Sequence, residues 1–95
     1  MIRSFRGKWA ESIFNRQVPK GFPADIAMVA RRKLEAVNAA HVLGDLRSPP
    51  GNRLEELKRD RRGQHSIRIN DQFRICFRWS DDGVDDVEIV DYHEG

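Results

Sequence analysis

One stretch near the middle of the chain, residues 64–79, constrains the fold more than any other. It reads QHSIRINDQFRICFRW, and apolar and polar side chains alternate on either side of Asn70, Asp71 and Gln72. Successive side chains of a strand point to opposite faces of a sheet, so the alternation predicts two half-buried strands. Asn and Asp tolerate the backbone angles of a tight reversal. The stretch is therefore predicted to form an antiparallel hairpin.

The two faces of this hairpin differ in character. Because residues two apart share a face, Arg68, Arg74 and Arg78 are predicted to lie on one side of the sheet. Arginine is permanently charged and can grip phosphate oxygens with two donors, so this side is the candidate working surface. The alternative is that Arg68 and Arg74 are solvated or pair with Glu88, and the residues alone leave both interpretations open. The opposite face would join the core through His65, Ile67, Ile69, Phe73, Ile75, Phe77 and Trp79.

Upstream of the hairpin, apolar residues at helical spacing predict two amphipathic helices, over residues 8–16 and from 23–25 to about 40. The segment 46–51 contains two adjacent prolines and a glycine, so it is predicted to be an irregular connector. This order predicts a single α+β domain over residues 1–95, with two N-terminal helices packed on one face of a small antiparallel sheet. Further extended runs are predicted at 2–5, 52–57 and 87–90.

Charge is distributed unevenly along the chain. Residues 47–79 hold nine Lys or Arg and four acids, whereas residues 80–95 hold seven acids and no Lys or Arg. A basic body of this kind is suited to a polyanion such as RNA, although a solvated surface would look the same. The basic residues picked out as RNA- or ribosome-binding candidates are Arg53, Lys58, Arg59, Arg61, Arg62 and Arg78.

Several classes of protein are not expected. No apolar run approaches the ~20 residues of a membrane span, and the first residues lack the apolar centre of a secretion signal. The single cysteine, Cys76, gives no internal disulfide and is expected to be a small buried side chain, so a cytoplasmic protein is expected. The three histidines show no metal-ligand spacing, and no glycine-rich phosphate loop opens a helix, so neither a metal nor another cofactor is predicted.

The residues present suit cleavage of RNA without a metal. That reaction needs a group to take the proton of the ribose 2′-hydroxyl, a group to protonate the leaving oxygen, and cations for the charge on the phosphate. Arg68 and Arg74 are the candidate cations. Asp91, Tyr92 and His93 follow directly from the last predicted strand, so they are candidates for proton transfer at the edge of the same face.

Three segments carry a resemblance to a known family. They are GNRLEEL at 51–57, QHSIRINDQFRICF at 64–77 and VEIVDYH at 87–93. With them the chain resembles the HigB toxins, which belong to the RelE superfamily of bacterial toxin–antitoxin systems. The resemblance implies the RelE-like microbial RNase fold, with two N-terminal helices against a curved antiparallel sheet. It also implies a ribosome-dependent mRNA endoribonuclease that arrests translation.

The resemblance further implies partners and site residues. The partners would be the ribosome, its mRNA and a HigA-type helix-turn-helix antitoxin, with operator DNA contacted only through the antitoxin. Arg68 and Arg74 match the sheet arginines that hold the scissile phosphate, and Lys58 matches a basic residue near the site. The residues that match the family's acid–aromatic–histidine group, assigned to proton transfer or substrate positioning, are Asp91, Tyr92 and His93.

One position departs from the family pattern. Some relatives use a histidine in catalysis where this chain has Glu55, and a carboxylate cannot supply the same cationic donor at neutral pH. The departure leaves His93 as the titrating catalyst. It also keeps open the alternative of a degenerate toxin that binds RNA or its antitoxin without cutting.

Overall fold

Two helices precede a four-stranded antiparallel sheet in the computed structural model, which describes residues 1–92. The helices are α1, Ala10–Phe14, and α2, Ala24–Ala39. This is the α+β architecture predicted from the sequence. The strands, adjacent in chain order, are β1, Glu55–Glu56, β2, His65–Arg68, β3, Phe73–Ser80, and β4, Gly83–Asp91.

Both predicted helices are present, and the second follows its predicted bounds closely. Helix α2 begins directly after Pro23, whose fixed φ of −61° suits a helix start. Helix α1 is shorter than predicted, because Arg16 already adopts the left-handed conformation at φ 68°. The residues that α2 buries are Ala27, Ala30, Leu34 and Val37.

The central hairpin forms in the predicted register. Ile67 lies opposite Ile75 and Arg68 lies opposite Arg74. The turn is fixed by Asn70, whose Oδ1 accepts hydrogen bonds from the backbone N–H groups two and three residues later, at 2.9 and 2.7 Å. One face of the hairpin joins the helices in a single apolar cluster, so the other face is left for polar side chains.

The segment before β1 differs from its prediction. Two short 3₁₀ helices, Leu43–Arg47 and Pro50–Asn52, occupy the connector that was predicted to lack regular structure, so that prediction was wrong. Proline lacks only the N–H that a first helical turn leaves free, and the prolines here precede or begin such a turn. The extended run predicted at 52–57 shrinks to β1, because Arg53 is left-handed at φ 47° and ψ 57°.

The N-terminal segment lies along β4. Ile2 and Phe5 form isolated parallel bridges to Val84 and Val87, which is what remains of the predicted edge strand at 2–5. A Cβ on Gly83 would lie 2.8 Å from the carbonyl oxygen of the first residue, so glycine permits this close approach. Within residues 1–92, no helix has the length and apolar character needed to cross a membrane.

Candidate active site

Arg74 lies at the centre of the polar face of the sheet, with all three of its guanidinium nitrogens engaged. Its Nε donates to Ser66 Oγ at 3.0 Å and its Nη2 donates to the carbonyl oxygen of Arg53 at 2.8 Å. Its Nη1 lies 3.1 Å from Oε1 of Glu55. The Arg74 side chain is only 13% exposed, whereas that of Glu55 is 54% exposed. The result is a permanent cation in a fixed orientation, with one partner that faces solvent.

Tyr92 closes over this arginine from the end of β4. Its backbone N–H donates to the carbonyl oxygen of Gln72 at 2.6 Å, which ties the residue to the hairpin turn. The ring centroid lies 5.8 Å from Cζ of Arg74, within the range of a cation–π contact. Its hydroxyl oxygen lies 4.0 Å from Sγ of Cys76. The predicted delivery of this aromatic residue to the edge of the arginine face is therefore observed.

The phenol of Tyr92 is held in its protonated form. Burial raises its pKa above the ordinary value, and the neighbouring thiol of Cys76 adds to the rise, while Arg61 and Arg74 partly oppose it. Burial likewise raises the pKa of Cys76, which is 0% exposed. A buried, protonated thiol is a poor nucleophile, in agreement with the packing role predicted for this cysteine.

Arg61 approaches the same face from the turn between β1 and β2. Its Nη1 lies 3.2 Å from Oε1 of Glu88 and 3.3 Å from Oε1 of Gln64. Its positive charge acts to lower the pKa of Cys76 and the pKa of Tyr92, against the larger effect of burial. The sequence marked Arg61 as an RNA- or ribosome-binding candidate on a charged turn, but it did not predict that Arg61 lies on the face that carries Arg74. The polar face includes one row across the four strands, formed by Glu55, Ser66, Cys76 and Glu88.

The other two sheet arginines form ion pairs with other carboxylates. Arg68 is opposite Arg74 as predicted, but its guanidinium pairs with Asp71 in the hairpin turn. Arg78 is 44% exposed and its Nε lies 3.3 Å from Oδ2 of Asp86. A register shift in the pairing of β3 with β4 lies between Cys76 and Arg78, and Asp86 there has φ 55°.

The question whether Glu88 pairs with the sheet arginines is answered by these contacts. Glu88 pairs with Arg61, and neither Arg68 nor Arg74 uses it. Each sheet arginine has a carboxylate from a nearby turn or strand instead. The alternative was therefore right that these arginines pair with carboxylates, but Glu88 is not the carboxylate that they contact.

The remaining candidates are carried by the end of β4 and by turns. Asp91 accepts a hydrogen bond from Nε2 of Gln72 at 3.2 Å. His93 lies outside the described residues 1–92. The exposed basic candidates, all carried by turns, are Arg53, Lys58, Arg59 and Arg62.

Comparison of the sequence with protein families and with known proteins points to the same family in each case. Residues 3–93 match a family described as the RelE-like toxin of type II toxin–antitoxin system HigB. The chain is 40% identical over 82 residues to Toxin HigB-1 of Vibrio cholerae, covering 85% of this chain and 86% of that protein. It is 31% identical to Endoribonuclease HigB of Proteus vulgaris, covering 98% of this chain and 100% of that protein. The chain therefore belongs to the HigB family of RelE-like toxins of type II toxin–antitoxin systems.

Proposed function

We propose that this chain is a ribosome-dependent endoribonuclease that cleaves messenger RNA through the ribose 2′-hydroxyl, without a metal ion. The observation that carries the proposal is the pairing of a fixed guanidinium, Arg74, with a protonated phenol, Tyr92, at 5.8 Å. A relative that covers nearly the whole chain is named an endoribonuclease, which supports the reaction class. The family supports an antitoxin partner, which we propose to be of the HigA helix-turn-helix type.

The arginines would bind the scissile phosphate. Arg74 keeps its bonds to Ser66 and to the Arg53 carbonyl, while the phosphate takes the place of the more exposed Glu55 carboxylate. Arginine suits this exchange because its planar fork of donors fits phosphate and carboxylate alike. Arg61 provides a second positive charge on the same face. Negative charge that develops on the phosphate would thus meet donors already in place.

Proton transfer would come from the residues at the end of β4. Tyr92 stays protonated at neutral pH, so we assign it the donation of a proton toward the leaving 5′-oxygen. We assign the removal of the 2′-hydroxyl proton to His93, which follows Asp91 by two residues in the chain. The ribosome would supply the positioning of the mRNA, and positioning accounts for a large part of many catalysed rates.

The experiment that tests this function is induction of the chain alone in bacteria, with cleavage sites mapped on one abundant message. A matched message without its start codon serves as the untranslated control. We expect cuts only in the translated message, at a fixed spacing relative to the reading frame, and loss of these cuts when the antitoxin is co-expressed. Cuts in both messages would remove the ribosome from the proposal. Growth arrest without cuts would favour a binding protein that blocks translation.

Glu55 gives a separate prediction about RNA binding. Changing Glu55→Gln removes the charge that competes with phosphate for Arg74, so we expect tighter binding of a 2′-O-methyl RNA oligonucleotide. Exposed ion pairs contribute about 0.2–1 kcal/mol, which corresponds to a gain of roughly 1.4- to fivefold in affinity. The control is Glu56→Gln, the exposed neighbour on the same strand. Weaker binding by the Glu55 variant would show that this carboxylate itself contacts RNA.

A further inference from the structure

The turn that precedes β1 contains a fully buried polar side chain, that of Asn52. Its Oδ1 accepts a hydrogen bond from Nζ of Lys33 on α2. Its Nδ2 donates to the carbonyl oxygens of Leu46 and Ser48, each at 3.2 Å. A buried amide whose donor and acceptor are both satisfied fixes the groups around it, because breaking any of these bonds leaves a polar atom without a partner. Asn52 therefore ties the turn both to α2 and to the connector.

Arg53, the next residue, connects the turn held by Asn52 to the candidate active site. Arg53 adopts the left-handed conformation, which is uncommon for residues other than glycine and persists only where the surroundings determine it. Its N–H donates to the carbonyl oxygen of Pro50 at 3.2 Å. Its own carbonyl oxygen accepts the 2.8 Å hydrogen bond from Nη2 of Arg74. The direction of that carbonyl depends on the turn that Asn52 holds.

We infer that Asn52 is a positioning residue for the nuclease reaction, acting on Arg74 through the backbone carbonyl of Arg53. The inference rests on the proposed function, in which Arg74 binds the scissile phosphate. When phosphate takes the place of Glu55, the guanidinium keeps two protein partners, Ser66 Oγ and the Arg53 carbonyl. The second of these is the one that Asn52 fixes. Asn52 itself is buried and does not contact the RNA.

The test is a mutant cycle with purified toxin on translated message. We expect Asn52→Ala to lower the cleavage rate by roughly 10- to 100-fold, since a misplacement of about 1 Å has effects of this size. In an Arg74→Lys background the same change should have less than about a threefold effect, because lysine lacks the planar fork that the carbonyl orients. Equal effects in the two backgrounds would mean that Asn52 acts on the whole structure, which overturns the inference.

A second measurement needs no RNA. The ¹H–¹⁵N resonance of Arg74 Nε should shift or broaden in Asn52→Ala. It should stay in place in Val37→Ala, a variant that opens a cavity in the core under α2 and lowers stability. Asn52→Ser supplies a hydroxyl as one donor in place of the amide. It should restore part of the cleavage rate and bring the Arg74 resonance part of the way back to its parent position. An unchanged Arg74 resonance in a folded Asn52→Ala protein would refute the inference, as would failure of both Asn52 variants to fold.

These outcomes separate the inference from the proposed function. Full cleavage by Arg74→Lys and Arg74→Ala would contradict the phosphate-binding role of Arg74, whatever Asn52 does. Slower cleavage by those variants together with normal cleavage by Asn52→Ala would contradict only the role of Asn52.

Discussion

Replacing Arg74 with alanine should lower the rate of RNA cleavage by about 10²- to 10³-fold, the usual effect of removing one preorganised donor to a developing charge. Arg74 is the sheet arginine whose three guanidinium nitrogens are all oriented by neighbours, through Ser66, Arg53 and Glu55. A fixed donor needs no reorganisation when charge develops on the phosphate, so its loss should lower kcat more than it raises KM. The measurement is single-turnover cleavage on programmed ribosomes, with growth arrest as the cellular counterpart.

The controls for Arg74→Ala address folding and charge. Arg32→Ala removes the same charge from the exposed side of α2 and should leave cleavage unchanged. The alanine variant at 74 leaves Ser66 Oγ and the Arg53 carbonyl oxygen without this donor, so its free energy of unfolding should fall by about 1–3 kcal/mol. Thermal unfolding therefore has to show that the variant is folded at the assay temperature. Normal cleavage by a folded Arg74→Ala protein would contradict the proposed mechanism.

The hairpin that carries Arg74 could be predicted because its determinants are local. Alternation of apolar and polar residues places Ile67 and Ile75 on the core face, which leaves Arg68 opposite Arg74 on the other. The turn residue Asn70 bonds its own backbone, so the reversal needs no distant contact. A register slip by one residue would expose the buried isoleucines, and this penalty makes the pattern easy to interpret.

The partners of the site could not be predicted, because they depend on contacts between distant segments. Arg61 forms an ion pair with Glu88, which lies 27 residues later in the sequence. The fold of the turn containing Arg59–Arg61 brings the two side chains together. The Arg53 carbonyl is a backbone group, so the type of side chain at position 53 does not indicate its contact with Arg74. Glu55 was noted in the sequence only as a departure from the family's histidine. Its pairing with Arg74 follows from the alignment of β1 on β2, where Glu55 lies opposite Ser66.

Tyr92→Phe should produce the other large loss, with a cleavage rate lower by about 10²-fold or more, the range of one general acid. Phenylalanine keeps a ring 5.8 Å from the Arg74 guanidinium and removes only the hydroxyl. We therefore expect kcat to fall while KM and the Arg74 Nε resonance stay nearly unchanged. Tyr92→Ala removes the ring as well, and should disturb that resonance in addition to the rate.

The protonation state of Tyr92 supplies an independent test that does not depend on RNA. Burial raises its pKa in the folded protein, so the phenol contributes to stability fully below the pKa of an unfolded tyrosine, about 10. That contribution is lost as the pH rises through the folded pKa. The free energy of unfolding should therefore decline more steeply above pH ~10 in the parent protein than in Tyr92→Phe. Equal slopes would show that the pKa of Tyr92 is not raised in the folded protein. A phenylalanine variant that cleaves at the parent rate would show that the hydroxyl is not the proton donor.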